Sequence, residues 1–233
     1  MQPDFDRFLE RFFRFGAAPS VATYLDLFDP EATLFDSGMP RPIRVPEIPE
    51  HIAGVLRLVP DFRMTPQRWR TRDTTIFVEA KNQASLAGKP LRWDSVYCMD
   101  IAGDRVMRGR RYYDRRALFA NLNPELPALP ASALRPDGDP LPVAGSAEAS
   151  RPAFATRLES CLGALSLTPL LSAGDDALRF IEWRIDAGRA GEAFSFGVAE
   201  RVDLRAGNTL AYFDTLALAM HLGATAAQDG RAA

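Results

Sequence analysis

The chain has 233 residues, 47% of them hydrophobic, with 28 basic and 30 acidic side chains, a formal charge of −2. That composition excludes wholesale disorder, and the length can bury a sizeable core. No apolar run reaches the roughly 18 residues of a membrane span, and the opening "MQPDFDRFLERFFRF" is amphipathic and acidic rather than a leader; cytosol is the default location.

The first predicted element is a helix carrying Phe5, Phe8, Leu9, Phe12 and Phe13 on one stripe, with acids at its start and Arg14 near its end. Ser20 caps a second, whose stripe is Val21, Tyr24, Leu25 and Phe28, closed by Asp29-Pro30. A third is expected from Glu47 to Leu58. The period then changes to two, and "RMTPQRWRTR", "TTIFVEAKNQASL", "KPLRWDSVYCMDI" and "DRVMRGRRYYD" read as four strands joined by short turns. Helices followed by a meander predict an α+β fold with an antiparallel sheet.

Residues 123–152 hold 7 of the 18 prolines and no aromatic residue, which reads as an extended linker. Beyond it the pattern recurs. "FVEAKNQASLAGKPLRW" from Phe77 aligns with "FIEWRIDAGRAGEAFSF" from Phe180, an offset of 103, and Phe154, Leu158, Cys161, Leu162 and Leu165 repeat the spacing of the third helix. The expected organisation is a complete domain at 1–122, the linker, a partial second copy at 153–222 (one helix and a sheet), and a frayed tail at 223–233. A half-domain must bury its open sheet face. The expectation is therefore an intrachain pseudo-dimer in which front and back sheets pair, with a true homodimer as the alternative.

Several chemistries are excluded by counting. Cys98 and Cys161 cannot make a zinc site between them, His51 and His221 share no ligand spacing, and there is no G-x-S-x-G elbow, so no metal and no cofactor is expected. The 26 arginines are balanced by acids and lack an interleaved aromatic platform, which argues against nucleic acid as a partner. Arg68, Arg70 and Arg72 suit a charged edge strand opposite Trp69; the other reading of the arginines is an anionic ligand held by Arg111 with Tyr113.

Two short helices, "FDPEATLFDSGMPRPI", a helix ending "VPDF" and four strands closing on "RRYYD" resemble the nuclear transport factor 2 superfamily, with its ketosteroid isomerases and SnoaL-type polyketide cyclases. The resemblance implies a cone: a curved antiparallel sheet packed on N-terminal helices around an apolar pocket for a small apolar or weakly anionic organic molecule. It places Asp36, in "ATLFD", at the position of the general base that moves a proton α to a carbonyl, as in the isomerase that serves as the standard example of such pKa tuning. Asp94, in "RWDSV", falls near the second acid. The expected tyrosine of the first helix is Phe12 here, a ring that donates no hydrogen bond, and Tyr24 is a substitute. From the residues alone Asp36 reads equally as a turn residue in "DSG", and Asp94 as a surface charge if the face of Trp93, Ser95, Tyr97 and Met99 is the inner one. The functional expectation is a cofactor-independent isomerase, cyclase or lyase with Asp36 as base and Phe12, Tyr24, Trp69, Arg111 and Tyr113 around the ligand; the alternative is a non-catalytic ligand-binding or assembly protein.

Overall fold

A computed structural model of the protein describes residues 2–119, 123, 125–126, 141–142, 151–189 and 192–229. Two compact units divide the chain, Met1–Tyr112 and Tyr113–Ala233.

The first unit opens with α1 (Phe5–Ala17), capped by Asp4, whose carboxylate accepts the Arg7 amide at 3.1 Å, and burying Phe8, Leu9, Phe12 and Phe15. Gly16 lets α1 close on the sheet: a Cβ there would stand 2.4 Å from the Met64 carbonyl oxygen. The second helix, α2 (Val21–Leu25), has a reciprocal capping box between Ser20 and Thr23. It stops short of the expected stripe. Phe28 belongs instead to strand β1 (Phe28–Asp36), because Pro30 has no amide to continue a helix and sits where the β1 pairing is irregular. A short β2 (Ile43–Arg44) and a 3-10 turn (Val45–Glu47) lead into α3 (Ile48–Leu58), which starts one residue later than expected.

The four expected strands are present as β3 (Arg63–Arg72), β4 (Thr75–Leu86), β5 (Lys89–Ala102) and β6 (Arg105–Tyr112). At the β4–β5 turn Ala87 and Gly88 both have positive φ, 51° and 75°, as a two-residue hairpin loop requires. All join one six-stranded curled sheet in the order β2-β1-β6-β5-β4-β3, in which β1 and β6 run parallel. The inner face is settled by the aromatic contacts. Phe12 meets Tyr97 edge-on at 5.1 Å and Phe62 stacks on Trp93 at 5.8 Å, so Trp93, Ser95, Tyr97 and Met99 face α1 and Asp94 faces away.

The second unit contains α4 (Arg115–Phe119), β7 (Leu141–Pro142), α5 (Ala153–Leu162), β8 (Leu165–Gly174), β9 (Leu178–Arg189), β10 (Glu192–Asp203), β11 (Asn208–Tyr212) and α6 (Thr215–Asp229). Its sheet runs β7-β11-β10-β9-β8, and Phe154, Leu158, Leu162, Ile185, Val198, Phe213 and Leu218 form the core beneath it. Two expectations are corrected. Leu141 and Pro142, inside the segment expected to be linker, pair with β11; most of the remaining linker lies outside the described residues. Residues 223–229, expected to fray, belong to α6, whose run of Ala, Leu and Gln favours helix; 230–233 lie outside the described residues.

The two meanders share a register. Pro66 pairs with Ala80 and Arg68 with Glu79 across a bulge; Pro169 pairs with Trp183 and Leu171 with Glu182 across another. Phe77 lies opposite Cys98 as Phe180 lies opposite Arg201.

Glu200 of β10 is buried and accepts hydrogen bonds from the Trp183 indole (2.9 Å) and the Thr209 hydroxyl (2.7 Å). Burial pushes its carboxyl above the ordinary range, and the two hydrogen bonds offset only part of that. The native state therefore holds this proton more tightly than the unfolded chain does. The associated stability is complete below the unfolded Glu range, about pH 4, and is lost as pH rises through the raised native value. In urea unfolding, Glu200→Gln should remove that loss, so the variant gains on the wild type as pH rises from about 4 to about 7. Parallel stability curves would contradict this.

Candidate functional site

Three neighbouring strands place three polar side chains in one row. The parallel β1–β6 ladder sets Asp36 opposite Arg111, and the antiparallel β6–β5 ladder sets Arg111 opposite Tyr97. Residues opposite one another share a face, here the face that meets Phe12. Asp36 is the last residue of β1 and also begins a turn, in which its carbonyl accepts the Met39 amide at 2.9 Å. The turn reading of "DSG" describes this geometry.

The carboxylate is divided in its contacts. Its Oδ1 accepts the Ser37 amide at 3.0 Å. Its Oδ2 lies 3.6 Å from Arg111 Nη1 and 4.0 Å from Nε2 of His51, on α3. Ser37 ties the strand ends together, donating from its amide (3.2 Å) and its hydroxyl (3.1 Å) to the Arg111 carbonyl. The Arg111 guanidinium also lies over the Tyr97 ring, 5.2 Å from its centroid, a cation–π arrangement. Side-chain exposure rises from 10% at Asp36 through 15% at Arg111 to 31% at His51, which makes His51 the rim of the group.

Burial pushes the Tyr97 hydroxyl up from its ordinary value; Arg111 opposes the shift and the charge of Asp36 adds to it. Tyr97 is therefore a neutral phenol near pH 7, able to donate a hydrogen bond. The arrangement combines a buried carboxylate, a fixed cation, a phenol donor and an imidazole. A carboxylate can take a proton, and a phenol with a guanidinium can stabilise the oxygen charge that results.

The expected site residues divide. Phe12 packs on Tyr97, and Arg111 pairs with Asp36. Trp69 shares the row, through Val78, but stands four strands from Asp36, about 19 Å at about 4.8 Å per strand, and packs edge-on against Phe13. The ring of Tyr24 contacts Phe15 and Phe28. Asp94 is on the opposite face, across from Lys81, and is not brought to Asp36. Tyr113 belongs to the second unit. Sequence reasoning missed Tyr97 and His51. Tyr97 carried a signal, four residues beyond Trp93 on the same strand face. So did His51, which interrupts the apolar stripe Ile48, Ile52, Val55 at helical spacing. Among the described residues, no group of three or more His, Cys, Asp or Glu could hold a metal ion.

No protein-family model and no curated protein matches the chain. Many solved structures resemble about half of it, SnoaL-like polyketide cyclases and ketosteroid isomerase-like proteins among them. A Catenulispora acidiphila protein with a ketosteroid isomerase-like fold, solved with trimethylamine, is 12% identical over 50% of this chain and 92% of its own, with a TM-score of 0.46. A candidate SnoaL-like polyketide cyclase from a Jannaschia species is 11% identical over 50% and 91%, with a TM-score of 0.44. A nuclear transport factor 2-like protein from Anabaena variabilis is 18% identical over 46% and 84%, with a TM-score of 0.40. Likeness at this level carries nothing about chemistry.

The pairing of Asp36 with Arg111 has an energetic consequence. Arg111→Met leaves a buried carboxylate without its guanidinium and should cost about 3–5 kcal/mol. Adding Asp36→Asn should recover much of that loss, giving a large coupling in a double-mutant cycle followed by urea unfolding. Additive effects would show that the two side chains are energetically independent.

Proposed function

We propose that the first unit binds a small, largely apolar carbonyl compound and moves a proton on the carbon α to its carbonyl, as a cofactor-independent isomerase, cyclase or lyase. The observation that carries this reading is the row Asp36–Arg111–Tyr97 on adjacent strands of the helix-facing side of the sheet. Asp36 takes the proton. The Tyr97 hydroxyl and the Arg111 cation receive the charge that develops on the carbonyl oxygen, the donor role expected at Tyr24 and at Asp94. Arg111 also allows a weakly anionic ligand. Phe12 and the aromatic residues around it supply the apolar wall.

A second reading, ligand binding without chemistry, is favoured by one feature. The carboxylate already accepts the Ser37 amide and lies 3.6 Å from the Arg111 guanidinium, contacts that give it a part in holding the strand ends together. A thermal-shift screen of steroids, polyketide-like aromatics and terpenoids finds binders under either reading. Turnover separates them. Asp36→Asn should lower the conversion of a β,γ-unsaturated ketone such as 3-cyclohexenone by about 10²–10⁴-fold with affinity nearly unchanged. Equal turnover in the Asn variant would remove Asp36 as the base.

For the second unit, we infer a partial copy of the first, with the two sheets paired as a pseudo-dimer within one chain. Support comes from the shared offset of 103 residues and from the matching bulges at Pro66 and Pro169. In solution scattering the full chain should have the mass of one copy, and residues 1–122 alone should dimerise or aggregate. A full-length dimer, or a monomeric front fragment, would overturn this arrangement.

A further inference from the structure

We propose that His51 is the proton exit of the site: the proton taken by Asp36 passes to the imidazole and from there to solvent, so that it is not returned to the substrate from which it came. This deepens the proton-transfer reading above and rests on it.

The argument starts from what surrounds Oδ2. Oδ1 accepts the Ser37 amide, and the structure sets two basic side chains beside Oδ2, Arg111 at 3.6 Å and His51 at 4.0 Å. Only one of them can accept a proton. A guanidinium stays protonated throughout the range in which proteins work, whereas a neutral imidazole with its lone pair on Nε2 takes a proton readily. The backbone amide of Ser37 has no lone pair to offer. Tyr97, held as a phenol by burial, is a donor rather than an acceptor. The separation of 4.0 Å is longer than a hydrogen bond and closes with a shift of about 1 Å, the kind of tightening catalytic contacts undergo when substrate binds.

Position gives the direction. The Asp36 side chain is 10% exposed and that of His51 31%, so the imidazole spans from the carboxylate to the surface. A buried carboxylic acid alone would keep the proton and hand it back. With His51 alongside, the steps balance as follows. The substrate Cα–H bond breaks, the proton joins Oδ2, and the electron pair moves to the carbonyl oxygen as an enolate. The proton then moves from Oδ2 to Nε2, leaving carboxylate and imidazolium, and the imidazolium exchanges with water. A solvent-derived proton returns by the same route to the new carbon.

The test uses the full chain and 3-cyclohexenone carrying deuterium at C2, in ordinary water. Conversion to 2-cyclohexenone places a hydrogen at C4, and mass spectrometry with proton NMR reads whether it is the original deuterium. The wild type should lose the C4 label to solvent. His51→Gln, which is uncharged and polar at a partly exposed helical position, should still convert the compound but retain the C4 label about tenfold more. His51→Asn should behave alike, and melting curves of both variants establish that they are folded. Retention of label by the wild type, or wash-out unchanged in both folded variants, would overturn the exit role while leaving Asp36 as base. Loss of all turnover in both folded variants would also overturn it, since His51 would then act in the chemical step. No conversion by the wild type, or conversion undiminished by Asp36→Asn, would instead overturn the reading on which the inference rests.

Discussion

The site depends on one non-local pairing, the parallel docking of β1 on β6. Every other ladder of the first sheet is antiparallel, and β3 to β6 follow one another through short turns, so those strands can form from local contacts. The β1 strand must travel from residue 28 to meet residues 106–111, and nothing in a hairpin dictates where it lands. A cluster of charges fixes its entry. Arg11 of α1 bonds to Asp26 and, at 2.8 Å, to Asp104; Arg105 donates to the carbonyls of Asp26 and Phe28 at 3.0 and 3.3 Å; and the Val106 amide donates to the Leu27 carbonyl at 2.8 Å. The middle of α1, the end of α2, the start of β1 and the β5–β6 turn are thereby held at one point. From there the register along β1 carries Asp36 to Arg111, and a slip of one residue would turn Asp36 to the opposite face.

Physical signals of different strength explain which parts of the molecule were legible in its sequence. The strands β3 to β6 were read nearly to the residue, because alternation over eight or more positions has no helical counterpart. The first helix and the third were read from stripes of five apolar residues. Strand β1 was not seen. Val21, Tyr24, Leu25 and Phe28 fit a helix by spacing alone, and Asp29-Pro30 looked like the end of an element when it is an irregularity inside the next one. Helix α6 was not expected: residues 223–233 read as a frayed tail, whereas the helix runs through Gly223 to Asp229. Within the site, Asp36 was found from its motif and Arg111 from a cluster. Tyr97 was assigned to one of two strand faces, and choosing between them required knowing which face α1 covers. That is a tertiary fact with no period in the sequence. His51 was set aside for want of a metal-ligand partner; its place in the stripe of α3 was the available clue.

The two ladders show how far one register determines chemistry. The position of Tyr97, shifted by the same 103 residues, is Glu200, and across from it Ala211 occupies the place that Arg111 holds opposite Tyr97. In the first unit a buried acid is thus one strand from a guanidinium. Separating them would strand a charge, so the pair restricts both strands to one alignment. In the second unit the acid has an indole and a hydroxyl for neighbours, at 2.9 and 2.7 Å, and burial raises the affinity of Glu200 for its proton. Neutral donors satisfy a carboxyl group without compensating its charge. The same scaffold position therefore holds a neutral phenol beside a charged pair in one unit and a carboxyl biased toward its acid form in the other. Two changes make the difference, Glu200 for Tyr97 on one strand and Ala211 for Arg111 across the ladder; they leave the second unit without a cation at the position on which the proposed proton transfer of the first depends.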